Sequence, residues 1–300
     1  MDKKVKNIFF LGKGGVGKST SSAITALHLA ESGHRVLLIS MDPAHNQGDI
    51  FEKKFSEKSV KINENLSVRE INIDFWVKRY ITDIRLQIKR TYSYLTAFNL
   101  DGYFDVIKYS PGIEEYALLI AYKNIRQAIV DIDYIIFDMP PTALTIKFLT
   151  LPDLSLLWLK NLLDLRNKII EKRKIITKVK LGTKVIEKDK ILSKIHEQIA
   201  EYKEIKTVFQ DSDKTILNLV LNTDKLSFAE SQLIMESLSK FNIPLKNIFV
   251  NKCNSSYDTK PIEEKYTHCG FQKLPDSKTP LMGIPALTDY LHSIPSFITM

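Results

Sequence analysis

The amino-acid sequence predicts a doubly wound, mostly parallel α/β sheet, the P-loop NTPase architecture, carrying an inserted α-helical subdomain. Three observations predict it. Apolar β-type runs at Ile8–Leu11, Arg35–Ile39, Tyr134–Asp138, Thr215–Leu221 and Ile248–Lys252 are separated by segments of helical period, as βαβ units in a parallel sheet require. The first run passes straight into Gly12-Lys13-Gly14-Gly15-Val16-Gly17-Lys18-Ser19-Thr20, a G-x-x-x-x-G-K-[ST] phosphate-binding loop set between strand and helix. Residues 145–210 then hold a long helical stretch with no β signal. The expected division is a nucleotide-binding domain, residues 1–144 and 211–300, and the inserted subdomain, 145–210, with part of 85–125 a candidate to join it.

Composition narrows the classes. A chain of 300 residues, 44% apolar and 26% charged, has the make-up of an ordinary globular protein with a sizeable core. Cys253 and Cys269 are the only cysteines, which excludes a disulfide framework and fits a reducing cytoplasm. The N-terminal apolar run is too short for a signal core, and no apolar stretch is expected to reach the ~20 residues that span a bilayer. The protein is therefore expected not to be integral to a membrane. Of the net charge of +8, nearly all sits in residues 155–206, with 14 Lys/Arg against 7 Asp/Glu. A basic segment of this kind raises anionic lipid or nucleic acid as partners.

The first strand is expected over Lys3–Leu11 and the first helix from Lys18 to about Ser32, stopped by Gly33. Between them the glycines let successive N–H groups turn toward phosphate oxygens beside a positive helix N-terminus. Lys18 is then placed to reach the β- and γ-phosphates of ATP, and the Ser19 hydroxyl to ligate Mg²⁺. Lys13 is a second lysine, poorly aimed at its own nucleotide. It is either a solvated surface lysine or a charge offered to a partner's phosphates across a face-to-face dimer. The G-K-G-G-x-G-K-[ST] form resembles the deviant Walker A ATPases, in which such a lysine acts across a homodimer.

The second strand, Arg35–Ile39, delivers Asp42-Pro43-Ala44-His45-Asn46 to its C-terminal end, the edge where ligands bind in an open α/β sheet. Asp42 there is a candidate to accept a hydrogen bond from an attacking water; an Asp-Pro turn is the plainer reading. The D-P-A-H-[NS] segment resembles the first switch of the ArsA family, which includes the arsenite-pump ATPase and the ATPase that targets tail-anchored membrane proteins. The resemblance implies that Asp42 is the catalytic aspartate and that Asn46 shares its switch.

Further on, Val68–Ile73 alternates as a short strand. Asp74 to about Phe98 is helical, with Trp76, Tyr80, Ile84 and Ile88 at a spacing of four. Breaks fall at Asp101-Gly102 and Ser110-Pro111-Gly112, and Ile113–Val130 is a further helix whose Pro111-Gly112-Ile113-Glu114-Glu115 start also resembles the family. Tyr134–Asp138 is a buried strand ending in an acid, the Walker B pattern, which assigns Asp138 to Mg²⁺ directly or through water. Met139-Pro140-Pro141-Thr142 resembles the second switch. The family's Gly-His is replaced by Ala143-Leu144, and alanine resists the positive φ that glycine accepts.

In residues 145–210 a dense apolar series, Leu144, Phe148, Leu149, Leu151, Leu154, Leu157, Trp158 and Leu162, is expected to break at Pro152. After a Leu181-Gly182 break, Val185, Leu192, Ile195, Ile199 and Tyr202 share the face of a second helix. The plain reading is a self-packed helical cap with a basic rim. The family resemblance offers instead a hydrophobic groove for a client's membrane segment, although no methionine is present to make it adaptable.

Thr215–Leu221 is a strand. Ser227-Phe228-Ala229-Glu230 reads as a capping box opening a helix to about Phe241. Ile248–Lys252 is the last strong strand, and the resemblance makes Asn251 the residue that bonds adenine. Pro285, between loop and helix, is a candidate to line the adenine pocket. Cys253, His268 and Cys269 lack the local pairing and fourth ligand that zinc prefers, so no zinc is expected.

Together these assign a Mg-dependent ATP hydrolase working as a nucleotide-gated homodimer. Three outputs are compatible with the sequence: delivery of hydrophobic membrane-protein segments, a partition or scaffold switch on anionic polymer or lipid, and energising an anion pump. Nucleic acid is the least expected partner.

Overall fold

Strands apolar on both sides must be covered on both sides, and that requirement sets the architecture. In the computed structural model, which describes residues 5–91, 108–181, 189–253 and 259–298, the strands are β1 (Lys6–Leu11), β2 (Val36–Ser40), β3 (Val60–Lys61), β4 (Leu66–Glu70), β5 (Tyr134–Asp138), β6 (Thr215–Asn222), β7 (Asn247–Cys253) and β8 (Gly270–Pro275). They form one sheet in the order β3-β4-β2-β5-β1-β6-β7-β8. Neighbours run parallel except β3, which is antiparallel to β4.

The helices are α1 (Lys18–Glu31), α2 (Asn46–Phe51), α3 (Ile73–Thr91), α4 (Ile113–Ala128), α5 (Thr142–Leu181), α6 (Lys190–Gln210), α7 (Lys225–Lys240), α8 (Lys260–Lys265) and α9 (Ile284–Ser293). On one face, α1, α2 and α9 pack Ile24, Leu27, Phe51 and Leu287 against Ile8, Phe10 and Phe249. On the other, α3 to α8 cover the sheet. There Phe9 stacks on Phe137 at 4.7 Å between centroids and meets Phe209 edge-on at 5.8 Å. The sheet is thus doubly wound.

Register brings the motifs to one edge. Phe10 and Ser40 both pair with Asp138, so Gly12 and Asp42 each lie two residues beyond the aspartate's level. Asn222 pairs with Asn251 on the far side of β1.

Several expectations need correction. The short strand lies at Leu66–Glu70 rather than Val68–Ile73. A further parallel strand, β8, follows β7, which is therefore not the last. The helix α7 starts at Lys225, because Asp224 is its cap: Asp224 Oδ1 accepts the Ser227 N–H at 2.8 Å. Ser227 is no capping-box residue; its Oγ accepts the Asn222 N–H at 2.9 Å. Asp101-Gly102, Val185 and the stretch beyond Thr91 lie outside the described residues.

Pro152 does not break its helix: α5 runs through it for 40 residues. An interior proline costs about 3 kcal/mol, and here Pro152 itself is buried next to the core residues Phe148, Leu149 and Leu151, whose burial supplies the compensation. Both ends of the helical stretch 145–210 pack into the sheet's own core. Phe148, Leu149, Ile205 and Phe209 belong to the main core, while among the described residues Leu156, Leu159, Ile195 and Ile199 make a separate small core. Finally, one stretch does reach membrane-spanning length: within Thr142–Lys172 an 18-residue window has mean hydropathy 1.3, half of it buried in the fold. A core helix passes the same test of length and composition.

Candidate functional site

The phosphate loop takes its shape from three left-handed or extended glycines. Gly12, Gly15 and Gly17 have φ of 148°, 79° and 93°. At Gly12 a Cβ would stand 2.3 Å from the Val220 carbonyl oxygen of β6, and at Gly17 2.2 Å from Asn251 Nδ2. The loop therefore lies directly on the ends of β6 and β7, with Val16 buried and Gly14 and Gly15 exposed. Helix α1 begins at Lys18 with no side-chain cap, leaving its leading N–H groups for an anion.

Lys18 is 5% exposed and its Nζ donates to the Lys13 carbonyl at 3.1 Å. Burial lowers its pKa, while Asp138, Asp42 and, more weakly, Glu230 pull it back up. The Lys13 side chain is half-buried.

Asp42 is buried at the end of β2, its Oδ1 accepting the Ala44 N–H at 3.0 Å. This turn throws the chain into α2, a helix unforeseen because its Asp-Pro and Gly-Asp pairs are punctuation of loops. His45 precedes α2 in the left-handed conformation, φ 52°. Glu70 of β4 ties the helix down, accepting the Gly48 N–H at 3.0 Å, with His45 Nδ1 4.0 Å from its other oxygen. Burial raises the Glu70 pKa against the opposing pull of those two partners.

Asp138 is wholly buried, and burial pushes its pKa up to about 6 despite the lowering effect of the Ser19 hydroxyl, Gln47 and Lys18. Its Oδ2 accepts from Gln47 Nε2 at 2.9 Å, whereas its Oδ1 has no hydrogen-bond partner of good geometry. Ser19 is buried, and Asn46 Nδ2 approaches its hydroxyl at 3.5 Å. An orphaned carboxylate oxygen beside a serine hydroxyl is a donor set of the hard oxygen type that Mg²⁺ takes. With the uncapped helix and a lysine that donates to its own loop, the residues fit a nucleoside triphosphate and its cation.

Asn251 and Pro285 stand apart from each other in what they touch. Asn251 Nδ2 donates to the Val16 carbonyl at 2.8 Å and so pins the phosphate loop to β7. Pro285 is exposed in the first turn of α9, and its loop is fastened to α2 by a 2.8 Å bond from Gly283 N–H to the Ile50 carbonyl. Thr20 is half-buried in α1.

Sequence reasoning missed three residues. Gln47 and Glu70 lie in or against the unforeseen helix α2, so nothing in their spacing marked them. Glu230, taken for a capping residue, accepts the Thr142 hydroxyl at 2.6 Å. That bond anchors the start of α5, where Ala143 and Leu144 are ordinary helical residues and need no positive φ. Among the described residues, no group of three or more His, Cys, Asp or Glu stands together; Cys253 is half-buried and Cys269 buried, both as free thiols.

A second surface lies along α5. Leu154, Leu157, Trp158, Leu165 and Ile169 are 51%, 64%, 66%, 54% and 39% exposed. Their spacing of three, four, eleven and fifteen residues from Leu154 puts them on one helical stripe about 22 Å long. The opposite face of the same helix packs Leu156 and Leu159 against Ile195 and Ile199 of α6, and Arg166 holds Asp189, the cap of α6, with two bonds of 3.2 and 2.9 Å. The stripe is therefore left over once α5 and α6 have satisfied each other.

A family model described as anion-transporting ATPase matches residues 5–273. A protein of Aquifex aeolicus provisionally named arsenical pump-driving ATPase 2 is 34% identical over 81% of this chain and 79% of its own length. One from Chlorobaculum tepidum, provisionally named arsenical pump-driving ATPase, is 30% identical over 95% and 74%. An ATPase ASNA1 homolog of Plasmodium vivax is 32% identical over 89% and 68%.

Proposed function

The chain belongs to the ArsA family of anion-transporting ATPases and is an ATP hydrolase, and from that premise we propose that it is a Mg-dependent, homodimeric switch that shields or delivers apolar helices of membrane proteins. Asp42 orients the attacking water, Lys18 and the loop N–H groups hold the β- and γ-phosphates, and Lys13 reaches the nucleotide of the partner subunit. Ser19 and Asp138 would hold the cation, which would supply positive charge to the phosphates during transfer. Asn251 and Pro285 flank the base. In this reading the nucleotide-binding domain hydrolyses ATP while the outer part of the helical insertion meets the client, and the protein works in the cytoplasm, where its two thiols stay reduced.

The single observation that carries the client reading is the exposed stripe on α5. A self-packed cap would leave no such row of Leu, Trp and Ile facing outward, and contiguous exposed apolar surface marks an interaction site. A stripe ~22 Å long matches some fifteen residues of a partner helix. Lys160, Lys168 and Lys172, all exposed on the same helix, favour an anionic surface as the second reading.

The test is direct. Asp42→Asn protein loaded with Mg·ATP is titrated with a labelled twenty-residue Leu/Ala helix in detergent-free buffer, at low and high salt. Binding that survives high salt is the expected result. Absence of binding, or binding that collapses with salt as polyanion contacts do, refutes the client reading and, in the latter case, supports the anionic one.

A further inference from the structure

We propose that Gln47 is a positioning residue for the cation, fixing which oxygen of Asp138 faces it and supplying one acceptor of its own. The inference rests on the Mg²⁺ site assigned above.

Gln47 is fully buried in α2, five residues past Asp42. Its Nε2 lies 3.0 Å from the Ser19 carbonyl, 3.0 Å from Ser22 Oγ and 2.9 Å from Asp138 Oδ2. Two of these partners are pure acceptors, and Ser22 Oγ spends its proton on the Ser19 carbonyl at 2.9 Å. Turning the amide over would set its oxygen against three acceptors, so the orientation is fixed by chemistry. Two consequences follow. Asp138 Oδ2 already spends one lone pair on Gln47, so Oδ1, which accepts no hydrogen bond from the described residues, is the oxygen freer for the cation. Gln47 Oε1, also buried, has no partner among the described residues, and a buried carbonyl left so costs about 1–3 kcal/mol. A water held by the cation is a donor that would satisfy it.

The residue also joins three parts that the sequence presents separately: the helix after the first switch, the N-terminal turn of α1, and the end of β5. Loss of the cation site and displacement of α2 are therefore linked through one side chain. Outer partners of metal ligands shift metal affinity by about 10–100-fold when removed.

The experiment titrates fluorescent ADP against the full-length chain across a Mg²⁺ series and in EDTA, for the wild type, Gln47→Met and Asp138→Ala. The expected result for Gln47→Met, which keeps volume, is about a tenfold rise in half-saturating Mg²⁺, with affinity for metal-free ADP unchanged. Gln47→Asn, an amide one methylene short, gives the same split and serves if Gln47→Met does not fold. Unchanged Mg²⁺ dependence in Gln47→Met, beside a marked loss in Asp138→Ala, overturns this inference and leaves the site assignment standing. A fall in metal-free affinity matching the Mg²⁺ effect also overturns it, since a merely structural role produces that. A wild type whose ADP binding ignores Mg²⁺ overturns both.

Discussion

Trp158→Ser is the sharpest probe of the α5 surface, because exposure already separates binding from folding. An aromatic side chain buries about 150–250 Å² when fully covered. With 66% of Trp158 open to solvent, roughly 100–165 Å² is available to a partner. At ~25 cal/mol per Å² that area is worth about 2.5–4 kcal/mol, an upper bound of roughly 60- to 1,000-fold in affinity at ~1.4 kcal/mol per decade. Ordering of the partner and incomplete contact reduce the gain, so a loss of about 10- to 100-fold is the expected outcome. Folding stability should move by no more than about 0.5 kcal/mol, as for other exposed substitutions. The assay is anisotropy of the labelled apolar helix on ATP-loaded Asp42→Asn protein, with urea melts of the same samples. An affinity within twofold of the parent refutes the reasoning. So does a drop in stability as large as the binding loss, which would show Trp158 to be part of the fold's own packing.

Three other outcomes are expected. Asp42→Asn and Lys13→Ala each abolish phosphate release while ADP binding stays measurable; turnover retained in Lys13→Ala would make that lysine a bystander. Gly17→Ala forces a Cβ to 2.2 Å from Asn251 Nδ2 at φ 93°, costing about 1–2 kcal/mol of backbone strain and about 1 kcal/mol for the displaced Asn251–Val16 bond; urea melts and ADP titration read the two losses. Burial raises the Glu70 pKa, so the folded protein holds that proton at higher pH than the unfolded chain does. Its charged form is what folding penalises: the contribution to stability is present below the ordinary glutamate value and is lost as pH rises through the raised one. Glu70→Gln, still an acceptor for Gly48, should then be more stable than the parent at pH 8, with the gap closing near pH 4; a gap that widens on acidification contradicts the assignment.

What the sequence could reveal depended on whether a signal was local. The strands β1, β2, β5, β6 and β7 were legible because unbroken Val/Ile/Leu/Phe runs have one stable home, the middle of a parallel sheet. The phosphate loop was legible because its glycines and lysine act within nine consecutive residues. Helix α2 was not, since its six residues span less than two turns, too few to repeat an apolar pattern, and are bracketed by turn formers; Gln47 and Glu70 went unseen with it. Pro152 misled because its cost is set locally and its compensation, burial against Phe148 and its neighbours, comes from the tertiary fold. At Ser227 the capping pattern matched a residue three places inside the helix, where Asp224 was the better cap. The stripe on α5 was hidden for a related reason: Leu154, Leu156, Leu157, Trp158 and Leu159 read alike until α6 chooses which of them to cover.

The unbroken run of α5 has a mechanical consequence. Its first turn is clamped by the Thr142–Glu230 bond and by the Thr145 hydroxyl on the Pro140 carbonyl at 2.6 Å, four to seven residues past the buried end of β5. Leu154 and Ile169 lie about 18 and 40 Å along the axis from that clamp at ~1.5 Å per residue. A rotation of only ~5° at the clamp, small among hinge motions, sweeps these two residues through roughly 1.5 and 3.5 Å. The helix is a lever with a short arm seated beyond the end of β5 and a long arm carrying the apolar row, so a sub-ångström rearrangement at one end is geared up to the width of a side chain at the other.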